Sequence, residues 1–293
     1  MVKRKTVGNV CFDVLNYLFL AGLALSCILP IVNLLAVSFS DSASTSANLV
    51  RFWPRGFNTA SYEEVFRGTG FFRAFWIATM RTVIGSAVNL FMIITAAYPL
   101  SLSASQLKGR NFIILMYIFP MLFSGGLVPF FIVVNNVGLM RNFWVMIIPS
   151  AVPIFSIILM MNFFRNLPKQ IIEAAFIDGC NHVQMLWKIY IPLSTASIAT
   201  VALFAIVGHW NDWFTGLIFL RQEQYPLQTY LRQLLVQVNL TALTLADVER
   251  MRLLSDRSLR AAQLFLAIIP IMAIYPFLQK YFVTGITLGS VKE

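Results

Sequence analysis

The chain has 293 residues, 58% of them hydrophobic and 12% charged, with a formal net charge of +10 and a mean hydropathy of +0.75. Soluble domains carry about a quarter charged residues, so this composition excludes an ordinary globular protein and places the chain in a lipid bilayer. The basic residues are scattered around apolar stretches and never interleave with a stacking platform, which argues against nucleic acid as a partner.

The N-terminus opens with Lys3-Arg4-Lys5, and the apolar region from Val14 to about Val37 is longer than the core of a signal peptide, so an uncleaved anchor is expected. Further apolar segments fall at about 82–103, 112–134, 143–164, 193–219 and 262–283, the first running from 13 to 37. At 1.5 Å per residue each can cross about 30 Å of hydrocarbon, so the expected fold is all-α, polytopic, with six transmembrane helices. Segments between spans alternate sides. Lys3, Lys5, Lys108, Lys169, Lys188, Lys280 and Lys292 all fall on the side of the N-terminus, which makes that side, and the C-terminus with it, cytoplasmic.

The first extracytoplasmic segment, 38–81, starts Ser-rich, passes Arg51-Phe52-Trp53-Pro54-Arg55-Gly56, and continues as an amphipathic stretch from Tyr62 to Trp76 expected along the interface. A charge at mid-bilayer costs about 2.5 to 3.5 kcal/mol, so Arg81 is expected at the outer interface with the second span starting just after it. Helix breakers follow: Pro120, Gly125, Gly126 and Pro129 in the third span, Pro149 and Pro153 in the fourth, Pro270 and Pro276 in the sixth. Such breaks either kink a helix or line a cavity that satisfies the freed backbone, and Gly125-Gly126 mark the third span as the place for a discontinuous, path-lining helix.

Between the fourth and fifth spans, residues 165–192 are polar and patterned. Pro168 suits a helix start and Gly179 a helix stop, so a short helix is expected over 168–178, with Ile171, Ile172, Ala174, Ala175 and Ile177 making it mostly apolar. Asn181, with Gln184 three residues on, has the capping-box spacing and starts a second helix, while Pro192 fixes the turn into the next span. The product is a helix-Gly-helix elbow that reads as a docking surface for another protein.

The fifth span carries the one polar cluster inside an apolar segment, His209-Trp210-Asn211-Asp212-Trp213. Two readings stand: His209, Asn211 and Asp212 line a translocation path, or Trp210 and Trp213 form an interfacial belt with Asp212 reaching outward. The extracytoplasmic loop 220–261 follows, where Pro226 opens a helix with Leu227, Leu231, Leu234, Leu235 and Val238 on one face, and a further helix is expected from Asp247 into the sixth span. No P-loop, metal-ligand cluster or nucleophile elbow occurs, so the chain is expected to be non-catalytic, without a cofactor or metal of its own. Cys11, Cys27 and Cys180 make no disulfide framework.

Glu173-Ala174-Ala175, Gly179, Ile189 and Pro192 together match the pattern E-A-A, three residues, Gly, nine residues, I-x-L-P, with Ile191 in place of the Leu. This resembles the coupling loop of the membrane subunits of ATP-binding cassette importers. Ser124-Gly125-Gly126-Leu127-Val128-Pro129, Gly138-Leu139-Met140-Arg141-Asn142, Trp210-Asn211-Asp212-Trp213 and Phe282 to Lys292 extend the likeness over nearly the whole chain. It is similar to carbohydrate permeases, the six-helix maltose-type subunits and the subgroup of polysaccharide and lipoprotein-linked sugar systems in particular.

The resemblance implies a single type I permease domain over 1–293 in a bacterial cytoplasmic membrane, paired with a second homologous permease. It also implies two ATPase subunits that bind ATP and Mg, and an extracytoplasmic solute-binding protein. Glu173, Ala174, Ala175, Asp178, Gly179, Ile189 and Pro192 would then couple to an ATPase, with the tail Gly285 to Glu293 near the ATPases and loop 220–261 against the binding protein. In the two long outer segments arginines outnumber acids, which suits an acidic oligosaccharide such as an alginate chain and equally suits docking of the binding protein. The alternative from another class is an ion-coupled secondary transporter, which should show paired repeats and several buried ionisable groups.

Overall fold

The computed structural model describes residues 7–236 and 256–290. Among them the chain is helical with no strand: α1 (Val7–Ser38), α2 (Ser42–Ser46), α3 (Ala60–Arg67), α4 (Thr69–Ser101), α5 (Arg110–Leu122), α6 (Leu127–Asn136), α7 (Ile154–Arg165), α8 (Lys169–Ile177), α9 (His182–Met185), α10 (Ile191–Leu193), α11 (Thr195–Asn211), α12 (Phe214–Phe219), α13 (Leu227–Val236) and α14 (Asp256–Ser290). Three of these helices are long and apolar enough to cross a membrane. Three bent pairs raise the number of spans to as many as six.

Each bend has a local cause. The third span breaks between α5 and α6 by 114°, where Gly126 takes φ +84° and Ser124 Oγ accepts from its N–H at 3.2 Å. The fourth is two 3-10 turns, Phe143–Met146 and Ile148–Ser150, followed by α7 at 45°, with Pro149 and Pro153 withholding N–H donors from the helix ladder. The fifth joins the α9–α10 segment to α11 through an 85° bend at Ser194.

The chain forms two compact units. The first comprises residues 1–71 and 233–269. In it Ala36, Val37, Val50 and Ala261 form a small core, Phe39 stacks on Phe57 and Tyr62 with ring centroids 5.3 and 4.7 Å apart, and Asp41 caps α2 through Ser44 N–H at 2.6 Å. The second comprises 72–232 and 270–293. Its main core joins Ile93, Ala97, Tyr98 and Leu100 of α4 to Ile157, Met160 and Phe164 of α7, to Met185, Leu186 and Tyr190, and to Val201 of α11.

The amphipathic stretch Tyr62 to Trp76 is divided between two helices, because Gly68 adopts an extended ψ of 124° and separates α3 from α4. The long helix α4 begins at Thr69, so Arg81 lies within it, at 2% exposure. A lone buried arginine would be costly; this one is paired. The helix expected from Asp247, and the tail beyond Ser290, lie outside the described residues in part: α14 is described from Asp256. Val238 lies outside them too, whereas Leu227 and Leu231 of α13 are buried as their spacing requires.

Candidate functional site: an exposed elbow and a buried polar cluster

The elbow is built by two successive caps. Pro168, φ −59°, precedes α8, and α8 ends in a Schellman motif: Cys180 N–H donates to Ala175 C=O at 3.0 Å and Gly179 N–H to Phe176 C=O at 3.1 Å, with Gly179 at φ +80°. Asn181 then caps α9 through a reciprocal capping box, Gln184 N–H to Asn181 Oδ1 at 2.9 Å and Asn181 N–H to Gln184 Oε1 at 3.1 Å. From Leu186 to Tyr190 the helix widens to a π turn containing Ile189, and Pro192 lies in α10.

One face of this elbow is bolted to the bundle. Tyr98 Oη lies 2.8 Å from His182 Nδ1, the Tyr98 ring meets Tyr190 edge-on at 4.9 Å, Phe164 meets Tyr190 at 5.3 Å, and Phe176 meets His182 at 5.7 Å. Ala175, Met185 and Leu186 are buried beneath. The other face is open: Ile177 is 86% exposed, with Ile171, Val183 and Trp187 also exposed, and Glu173, Ala174, Asp178 and Gly179 on the same open surface. Large apolar side chains beside carboxylates and Lys169 and Lys188 on a rigid surface suit a protein groove.

The second cluster lies where α11 ends. Arg81 of α4 donates to the Asp212 backbone carbonyl at 2.8 Å and forms an ion pair with its carboxylate. The other oxygen of Asp212 accepts from Phe214 N–H at 3.0 Å and Thr215 N–H at 3.2 Å, so one side chain caps α12 while holding α4. His209 Nε2 is 2.8 Å from Asn89 Oδ1, and the Asn89 amide donates to the carbonyls of Ser150 at 2.7 Å and Ala151 at 3.1 Å. With the amide nitrogen so committed, His209 is the donor of the His209–Asn89 bond. Asn89 thereby satisfies carbonyls at the Pro153 break.

Around this network is a cavity of about 280 Å³ lined by Arg81, Asn89, Ser150, Ser156, Phe204, His209 and Asp212, with Gly208 and Ala205 between them. His209 and Asp212 are therefore brought together, whereas Asn211 is exposed and Gly125 and Gly126 sit at the α5–α6 break, outside this lining. Both tryptophans pack against the protein. Trp210 is 5% exposed against Phe75, and Trp213 lies under the Arg232 guanidinium at 3.4 Å while its carbonyl accepts from Thr229 Oγ1 at 2.8 Å. Arg81, Asn89, Ser150, Ser156 and Phe204 were not legible as site residues; the one signal was that Arg81 and Asp212 are single opposite charges in otherwise apolar stretches. Among the described residues no group of His, Cys, Asp or Glu could hold a metal ion.

Comparison with known proteins adds lineage to this geometry. The profile of the family described as binding-protein-dependent transport system inner membrane component matches residues 70–288. Protein LplC of Bacillus subtilis (strain 168) is 40% identical over 290 residues, 99% of this chain and 97% of the relative. The polygalacturonan/rhamnogalacturonan transport system permease protein YtcP of the same strain is 35% identical over 285 residues, 97% of this chain and 99% of the relative. A chain of a solved bacterial ABC transporter involved in the import of the acidic polysaccharide alginate superimposes with a TM-score of 0.87 at 30% identity, covering 96% of this chain and all of that one.

Proposed function

The chain belongs to the family of binding-protein-dependent transport system inner membrane components, and on that premise we propose that it is the non-catalytic, membrane-spanning permease subunit of an ATP-driven importer of acidic oligosaccharides, alginate-type uronate chains among them. The ion-coupled alternative lapses with the family assignment. The carrying observation is the elbow: a segment capped at both ends, fastened to α4 and α7, and open along Ile171, Ile177, Val183 and Trp187. A part that transmits force between subunits needs this combination of rigidity and an apolar docking face.

In this reading the elbow seats in a groove of one ATPase subunit at the cytoplasmic side of the bacterial inner membrane, and a second permease presents its own elbow to a second ATPase. ATP binding closes the ATPases and draws the elbows together. The bundles then rotate from inward-facing to outward-facing, and an extracytoplasmic binding protein releases the sugar between them. Closure does work only because elbow contacts differ in the two states. Glu173 and Asp178 meet basic groups of the ATPase, and Ile177 fills the groove.

The acidic substrate is supported by the likeness to the alginate importer and by exposed Arg51, Arg55, Arg67 and Arg73. His209, Asp212 and the cavity around them supply hydrogen-bonding groups beside the exposed ring of Phe204, a set suited to a sugar's hydroxyls and apolar face. The test is ATPase activity of the complex, purified with its partners in lipid and with its binding protein, against uronate oligosaccharides and neutral oligosaccharides of equal length. Stimulation by uronates alone is expected. Stimulation by neutral sugars alone overturns the acidic substrate, and absence of an associated ATPase overturns the importer.

A further inference from the structure

Beside the elbow, bordered by the exposed Lys169 and Glu173, lies a cavity of about 600 Å³ in the second unit. Three cations converge on it from three elements: Arg110 at the start of α5, Arg165 at the end of α7 and Lys169 at the start of α8. Among the described residues none of them is in an ion pair, and Glu173, the one carboxylate on the wall, forms none either. The Arg110 Nε atom is buried with no hydrogen-bond partner, while Arg165 donates to Leu100 C=O at 3.0 Å and so is held at the rim. Hydroxyl and amide groups of the 101–106 segment complete the wall.

Like charges gathered without a counterion repel one another, and a partly buried guanidinium with an unused donor has lost water without gaining a partner. Both deficits are removed by one anion. A carboxylate offers two oxygens in one plane, too few directions for two guanidiniums, an ammonium and several hydroxyls. A phosphate sets four oxygens tetrahedrally, three of them terminal in a monoester and two in a lipid's diester, an arrangement that forked arginine donors fit. We propose that this cavity is a phosphate-binding site that ties the 101–110 segment to the elbow.

The phosphate can come from either of two sources. From Arg110 onward α5 turns a strongly apolar face outward, with Phe112, Leu115, Met116 and Phe119 all more than half exposed, which gives a phospholipid a path for its acyl chains below a headgroup at Arg110. A soluble phosphate ester would enter from water. Occupancy braces Lys169 and, through α8, Glu173, so the site would modulate coupling. That consequence rests on the elbow reading above, but binding itself does not.

The experiment uses the complex purified with its partner subunits, carrying wild-type, Arg110→Gln or Lys169→Gln chains. Retained lipid is counted by native mass spectrometry after exposure to equal phosphatidylglycerol and phosphatidylcholine, and inorganic phosphate is titrated calorimetrically into the complex in phosphatidylcholine nanodiscs. A lipid source predicts preferential retention of phosphatidylglycerol, reduced about tenfold by Arg110→Gln. A soluble source predicts phosphate binding weakened by both substitutions. Neither ligand binding, or binding indifferent to both substitutions, overturns the site. Because the readout is binding, a failure of sugar-stimulated ATPase would strike the importer reading alone.

Discussion

Arg81 and Asp212, 131 residues apart, form one ion pair that fastens the middle of α4 to the residue at which α11 stops. Arg81 is 2% exposed and Asp212 26%, so removing one charge leaves the other without its partner inside the bundle, at a cost of up to about 3–5 kcal/mol. Asp212→Asn keeps the acceptor that caps α12 and removes only the charge. Thermal unfolding of the purified complex should show Asp212→Asn and Arg81→Met each strongly destabilised, and the double variant recovering most of the loss. A double variant no better than the worse single would mean that the two charges are not coupled.

Gly85 of α4 is required by His209. A Cβ there would sit 2.6 Å from both Cε1 and Nε2 of the His209 ring, closer than packed carbon atoms approach. The ring cannot retreat without losing its bond to Asn89. Gly85→Ala should therefore destabilise the complex by about 1–3 kcal/mol, the usual range for overpacking. Adding His209→Ser to Gly85→Ala clears the clash and should restore the unfolding temperature relative to Gly85→Ala alone. Destabilisation that persists in the double variant would place the requirement elsewhere.

The elbow was legible because everything that shapes it is local: Pro168, Gly179 and the Asn181–Gln184 pair act within a few residues of one another. The breaks at Gly126 and Pro153 were legible for the same reason. The polar cluster was not, since Arg81 and Asn89 of α4, Ser150 and His209 come from three separate stretches and only packing unites them. A lone Arg81 charge belongs at an interface; paired with Asp212 it fits inside the bundle. Likewise, periodicity carried the fifth span to residue 219, but Asp212 ends α11 by accepting the N–H groups of α12.

Gly179 meets a different demand from Gly85. A Cβ there finds no atom within 4 Å, so space is free and only the φ of +80° matters. A residue other than glycine pays about 1–2 kcal/mol for that conformation, less for Asn than for most. Gly179→Asn should retain most ATP-driven uptake, while Gly179→Asp, which adds charge to the docking face, should keep ATP hydrolysis and lose uptake. Both rates are measured on the same proteoliposomes. Uptake retained by the Asp variant at normal subunit assembly would count against the coupling role.

Ile177 offers the sharpest separation of docking from folding. At 86% exposure its side chain contributes little to the fold, yet it projects from the open face of α8. An apolar anchor entering a protein groove contributes more than 1 kcal/mol in favourable cases, and tenfold in affinity corresponds to about 1.4 kcal/mol. Ile177→Ser should thus leave the unfolding temperature of the isolated permease pair unchanged while weakening ATPase association about tenfold, read by titrating labelled ATPase onto permease in nanodiscs. The buried Ala175, two residues away on the opposite face, supplies the contrast: Ala175→Leu should unfold the elbow and lower stability before any partner is added. Equal association of the Ile177→Ser and unsubstituted chains would mean that the ATPase grips some other surface.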